Sequence, residues 1–339
     1  MNTSKFSRHT LMLSVINNKA FLLMVLLFVV ATFASDRFLT VLNLTTMARQ
    51  ISVMAIVATG FTLIFTAGQF DLSVGEVLAL SGIVYATAAL NLPVPIAMII
   101  AVLVGASCGL INGTLIRVFK LPAFVLTLAI GMVYRGITFL ITGGASVFGL
   151  PEIVVQIGQG TVLGFVPVPT LIMLAVLIIV AVAMGRTIYG RHLIATGGNV
   201  EAARVSGIRI NLMQLSVYII AGVCAAIGAI VLTGRQGAAV PNMGDGFALD
   251  AIAAVVIGGT AMRGGRSKVI GTLWGVILIA IIGNVLTLLN VSPFYQWIIR
   301  GSIIIAAIIL DNQTDTILNK IRENDVAKLS AQATKSQNQ

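Results

Sequence analysis

Charge is what this chain has least of. Only 9% of its 339 residues are Asp, Glu, Lys or Arg, against about 25% in a soluble domain, too few to cover a water-soluble surface. Cysteine and histidine are scarcer still, at two each. Cys108 and Cys224 lie inside apolar runs, and His9 and His192 are far apart in sequence. That spacing argues against a disulfide framework or a His/Cys metal site, and both thiols read as small packing residues. So few histidines leave no credible catalytic triad, and no Gly-x-x-x-x-Gly-Lys-Ser/Thr loop occurs. The chain is read as a non-enzyme with no cofactor and no metal. Aromatic residues make up 6%, and the basic residues behind the net charge of +10 stand singly in short linkers, which excludes nucleic acid as a partner.

Apolar residues fill the space that charge leaves. They are 58% of the chain, the mean hydropathy is +1.04, and continuous runs such as 20–34 and 170–184 show no in/out alternation. The expected fold is therefore an all-α integral membrane bundle rather than a barrel. Ten spans are expected, near 20–35, 47–67, 72–90, 95–118, 123–142, 168–184, 212–232, 249–262, 269–289 and 295–311. With both termini in the cytoplasm, sixteen of the 21 basic residues fall inside; the exceptions are Arg37, Arg49, Arg135, Arg235 and Arg300. Residues 1–311 read as one membrane domain and 312–339 as a cytoplasmic polar tail. The linker 143–168 is expected outside and the linker 185–211 inside. The first run also has the length of a signal-peptide core, follows a basic segment and ends in Thr32-Phe-Ala34; it is kept as a span.

Two halves echo each other weakly. The segment 70–82 resembles 249–259, each with an acid opening a small-residue helix, and Asn112, Pro122 and Arg135-Gly136 find parallels in Asn284, Pro293 and Arg300-Gly301. Five spans per half is an odd number, so a true repeat would be inverted, as alternating-access devices require. Asp71, Glu76 and Asp250 fall in or beside membrane spans, where a carboxylate costs about 2.5–3.5 kcal/mol. They either cap helix N-termini or line a wet path, and Glu76, one turn into its helix, fits a cap poorly. Asp71, Glu76, Asn112, Asp250 and Asn284 are thus the candidate path residues. Gly105-x-x-x-Gly109-x-x-x-Gly113 and Gly271-x-x-x-Gly275 predict close helix contacts.

The long inner linker carries Gly197-Gly-Asn199-x-Glu201-Ala202-Ala203-Arg204-x-Ser-Gly207-Ile208. Asn199 suits the cap of a short helix, Ala202 and Ala203 allow close approach of a partner, and Gly207 suits a left-handed terminus. Together with Gly68-Gln-Phe-Asp71-Leu-Ser-Val-Gly75, Leu121-Pro-Ala-Phe124, 249–259 and Ser292-Pro-Phe, this pattern resembles the ribose/xylose/arabinose-type permeases of bacterial ABC importers, from about residue 40 to 311. The resemblance implies an inner-membrane subunit for a monosaccharide, two permease copies, a cytoplasmic ATPase and a periplasmic sugar-binding protein. It also implies that residues 185–211 form the ATPase-coupling loop. Glu76 departs from the Ser common at its place in that family, and Ser267 from a usual Gly. Glu152 and Arg235, read as lying in outer loops, are candidates for docking the binding protein. The rival readings are an ion-coupled secondary transporter using Asp71 and Asp250, which would have no use for a coupling loop, and a related permease for a branched-chain amino acid or furanosyl signal molecule.

Overall fold

The computed structural model describes residues 19–306, 308 and 309; the expected polar tail at 312–339 lies outside them. The chain is nearly all helical: α1 (Lys19–Ala34), α2 (Val41–Thr66), α3 (Val74–Ala89), α4 (Val94–Phe119), α5 (Ala123–Thr142), α6 (Glu152–Gln159), α7 (Val168–Arg186), α8 (Ile188–Gly198), α9 (Val200–Val205), α10 (Ile210–Gln236), α11 (Phe247–Ile257) and α12 (Val269–Leu288), then α13 over 293–306. Between α6 and α7, β1 (Thr161–Val162) and β2 (Val166–Pro167) form a small antiparallel hairpin.

Every expected span overlaps a helix, but among the described residues six rather than ten helices are long and apolar enough to cross a membrane unaided: α2, α4, α5, α7, α10 and α12. Helix α3 has 16 residues and α11 only 11, about 24 and 16 Å at 1.5 Å per residue, against a hydrocarbon core of about 30 Å. The expected span at 249–262 overran because α11 sits between Gly246 (φ +81°) and Gly259 (φ +88°), left-handed positions where glycine is the default residue.

Helix α10 is the hub, packing on α2, α3, α4 and α6. The glycine stripe of α4 makes this possible: Gly105 faces Gly222, Gly109 faces Tyr218 and Gly113 faces Leu215. The two helices thus run antiparallel with backbones so close that a Cβ on Gly109 would strike the Tyr218 carbonyl. Helix α2 is also antiparallel to α10, with Gly60 against Ala221 and Val53 and Val57 against Gly228. Helix α12 packs on α2 through an Asn43–Asn284 amide pair (2.7 and 3.0 Å) and a 2.7 Å Thr62–Thr272 hydroxyl contact. Gly271 and Gly275 meet Gly258, just past the end of α11, and Ala254 within it, so both expected glycine stripes are helix contacts.

The two short helices start at one point. Gly75, in the first turn of α3, touches Gly244, just before α11, backbone to backbone. From there α3 runs parallel to α10, with Leu78 beside Gly228 and Gly82 beside Thr233, toward the end of the bundle that carries α6. Helix α11 runs the other way. The loop after it reaches the α8–α9 end, where Gly265 N donates to Thr66 O at 3.1 Å.

Candidate functional site

A polar cavity of about 200 Å³ lies beside this junction, lined by Gln50, Arg235, Gln236, Asp245, Asp250 and Arg300 among apolar walls from Met54, Met243 and Phe247. Asp250, in the first turn of α11, accepts a hydrogen bond from Arg300 Nη1 at 3.2 Å. At the junction Arg135 Nη1 bridges Glu76 Oε1 at 3.3 Å and Asp245 Oδ1 at 3.0 Å, and its guanidinium carbon lies 5.8 Å from the Phe139 ring centre. The two arrangements match. In each, an acid in the first turn of a short helix, where the N-terminal dipole favours negative charge, meets an arginine two helices further along the chain. The pairs are Glu76 of α3 with Arg135 of α5, and Asp250 of α11 with Arg300 of α13.

The five expected path residues therefore divide. Glu76 and Asp250 belong to these ion pairs. Asp71 does not: it is buried, and its Oδ1 accepts from Ser73 N (2.9 Å) and Ser73 Oγ (2.6 Å). Asn112 Nδ2 donates to Ser73 Oγ at 2.7 Å, and the Tyr134 hydroxyl donates to Asn112 Oδ1 at 2.9 Å. That closed network ties the non-helical run before α3 to α4 and α5. Ser73, not Asp71, is the N-cap residue of α3, and its side chain makes no cap bond. Asn284 is held by Asn43. The residue whose setting matches that of Asp250 is thus Glu76 rather than the expected Asp71.

Residues 185–211 fold into α8 and α9. Asn199 caps α9 by accepting from Ala202 N at 2.9 Å, and Gly207 (φ +81°) follows in the left-handed conformation, both as the sequence suggests. Glu201 pairs with Arg204 on the surface at 2.8 Å. Ala203 is buried within the subunit while Ala202 is exposed, and Val205 is 88% exposed. The exposed residues of α9 are therefore Val200, Glu201, Ala202, Arg204 and Val205. Inside, Gly197 packs against the Thr66 carbonyl and Gly265 N, which seats α8 on both α2 and the loop after α11. Tyr189 bonds Ser216 at 2.9 Å, and burial pushes its phenol pKa up.

Glu152 opens α6, is exposed, and accepts from Gln156 Nε2 at 3.1 Å. Arg235 is not in a loop: it lies in the last turn of α10 and lines the cavity, because α10 continues past the expected end of its span. Arg135, Arg300, Asp245, Gln50 and Gln236 join the site without having been singled out for it. A signal for the arginines existed. Of the five basic residues that break the inside bias, Arg135, Arg235 and Arg300 are at this site, and Arg49 donates to Gln159 O at 2.6 Å near Arg235.

Both cysteines are free and buried, and among the described residues no group of three His, Cys, Asp or Glu could hold a metal.

A bundle of membrane-length helices in which two short helices start together beside a polar cavity is the architecture of a membrane transport subunit. The chain belongs to the family described as branched-chain amino acid transport system / permease component, whose model matches residues 43–308. It is 38% identical over 296 residues to the ribose import permease protein of Bacillus subtilis strain 168, covering 86% of this chain and 92% of that one. To the D-allose transport system permease protein of Escherichia coli K12 it is 40% identical, covering 86% and 90%. The L-arabinose transport system permease protein of the same strain is 32% identical, at 84% and 87%. No solved structure matches the chain.

Proposed function

We propose that this subunit passes a monosaccharide across the bacterial inner membrane, driven by ATP hydrolysed on a separate cytoplasmic subunit and supplied by a periplasmic binding protein. The observation that carries the cargo is kinship: relatives aligned over most of the chain are named for ribose, allose and arabinose, whereas the amino-acid wording belongs to the wider family. The cavity is compatible with it. Asp250 and Arg300 neutralise each other, and Gln50 and Gln236 add donors and acceptors of the kind sugar hydroxyls use. The test is uptake in proteoliposomes holding the permease with its ATPase and binding protein. ATP-dependent accumulation of a pentose or hexose is expected; leucine uptake without sugar uptake would overturn the reading.

Both termini are cytoplasmic, and the chain crosses ten times, α3 and α11 completing their crossings with the irregular runs before them. Helices α1–α5 and α7 with α10–α13 form two inverted halves, a reading supported by the antiparallel α2 and α10 and by the matched acid–arginine pairs. Arg135 and Asp245 side chains are 44% and 47% exposed although Arg135 sits about 10 Å inside the end of α5. Facing lipid, each would cost about 2.5–3.5 kcal/mol, so a second copy covers this face and the path runs between the copies. Cysteine at Met132, one turn from Arg135 and 73% exposed, should crosslink two copies in a background lacking Cys108 and Cys224; its absence would reject the homodimer. Asn199, Glu201, Ala202 and Gly207 form the ATPase contact with Ala203 as its inner support, Glu152 serves the binding protein, and Arg235 serves the path.

A further inference from the structure

The α8–α9 end of the bundle carries a second feature, unrelated to the sugar path. Two adjoining cavities of about 590 and 490 Å³ share Arg117, Arg204 and Asn211 as lining residues; Lys120 and Gln214 line the first, and Arg209 the second. Four cations thus converge from the end of α4, from α9 and from the link into α10. Among the described residues Arg204 pairs with Glu201, and no carboxylate lies within ion-pair distance of Arg117, Lys120 or Arg209. Lys120, at φ +52°, ends α4 and turns the chain toward Pro122, which keeps Arg117 and Lys120 on one corner. The first turn of α10, through Ile210, Asn211 and Leu212, also lines the second cavity. Ile210 N and Leu212 N bond to Ile208 O and Arg209 O, and the N-terminal end of the helix dipole adds positive potential there. The rim is apolar: Leu121, Phe124 and Leu212 line the cavities and are exposed, and the exposed Phe119 directly precedes Lys120 in the chain.

A cationic pocket at the edge of membrane-length helices, bordered by exposed apolar side chains, matches an amphiphile with an anionic head. We propose that this pocket binds an anionic phospholipid, its phosphate on Arg117, Arg204 and Arg209 and its acyl chains along Phe119, Leu121 and Phe124. A free phosphate would use the cations and leave the apolar rim unsatisfied. Basic residues near an anionic membrane surface each strengthen binding by about fivefold.

The test uses the full chain in nanodiscs of phosphatidylcholine mixed with phosphatidylglycerol, with lipid retained after delipidation quantified by mass spectrometry. The wild-type subunit should retain phosphatidylglycerol in preference to phosphatidylcholine. The double substitution Arg117→Gln with Arg209→Gln should cut that preference at least fivefold, whereas Arg186→Gln with Arg191→Gln, which removes two exposed charges from the same end, should leave it unchanged. Size-exclusion profiles confirm that all three are folded. Equal loss in both double variants would mean a diffuse basic surface and overturn the site. Displacement of the lipid by millimolar inorganic phosphate would make it a free-anion site. Exclusion of the lipid when the ATPase binds would assign the surface to that protein instead, and either result overturns the proposal.

Discussion

At Asp250 a single charge-assisted hydrogen bond to Arg300 holds a carboxylate at the wall of the cavity, and such bonds are worth about 1.5–3 kcal/mol. Asp250→Asn and Arg300→Gln should therefore each lower transport by about tenfold or more, since tenfold corresponds to 1.4 kcal/mol, with membrane abundance retained. The exchanged pair Asp250→Arg with Arg300→Asp should recover part of the rate in the same uptake measurement. Asp71→Asn should behave differently. Its carboxylate serves the Ser73–Asn112–Tyr134 network, so the expected loss is in the amount of subunit in the membrane, read by immunoblot, rather than in rate per molecule. The place of Asp71, Glu76 and Asp250 at or beside helix starts was legible from the sequence; the side each faces was not. Hydropathy reports how buried a segment is, while partner choice depends on which helix arrives opposite, and Arg135 and Arg300 arrive from 59 and 50 residues away.

Among the elements, the regular helices were legible almost to their ends because apolar runs and their glycine or proline limits are local signals. For the two short helices the start was legible to within two residues, while the meeting of the two was not. Residues 67–73 and 237–246 carry local breakers, with Gly68, Gly237 and Gly246 at positive φ, but the contact that joins them, Gly75 on Gly244, is a tertiary event. Helix α9 shows how a local rule can succeed: Asn199 and Gly207 are where cap chemistry requires them. A Cβ on Gly207 would meet nothing within 4 Å, so Gly207→Val acts through φ alone, at about 1–2 kcal/mol. It should abolish coupled transport and weaken ATPase co-purification while insertion continues. Gly109→Leu is the opposite case. The α10 backbone blocks the added side chain, and the subunit should disappear from the membrane fraction.

For the molecule as a whole, topology is the sharpest expectation. A reporter fused near residue 92 should be periplasmic and one near 120 cytoplasmic, and the reverse result would sink the ten-crossing arrangement. Early and late parts of the chain also interlock: α4 packs on α10 and α12 on α2, so each completes the other's core. This has a consequence in time. The glycine stripe of α4 emerges from the ribosome about one hundred residues before the α10 surface it fits, an interval of about 5–20 s at ordinary synthesis rates. Through that interval α4 stands in the membrane with its small-residue face unpartnered, held by the insertion machinery or by lipid. A nascent chain stalled after α7 should accordingly be a substrate for membrane proteases, and one stalled after α10 has emerged should resist them.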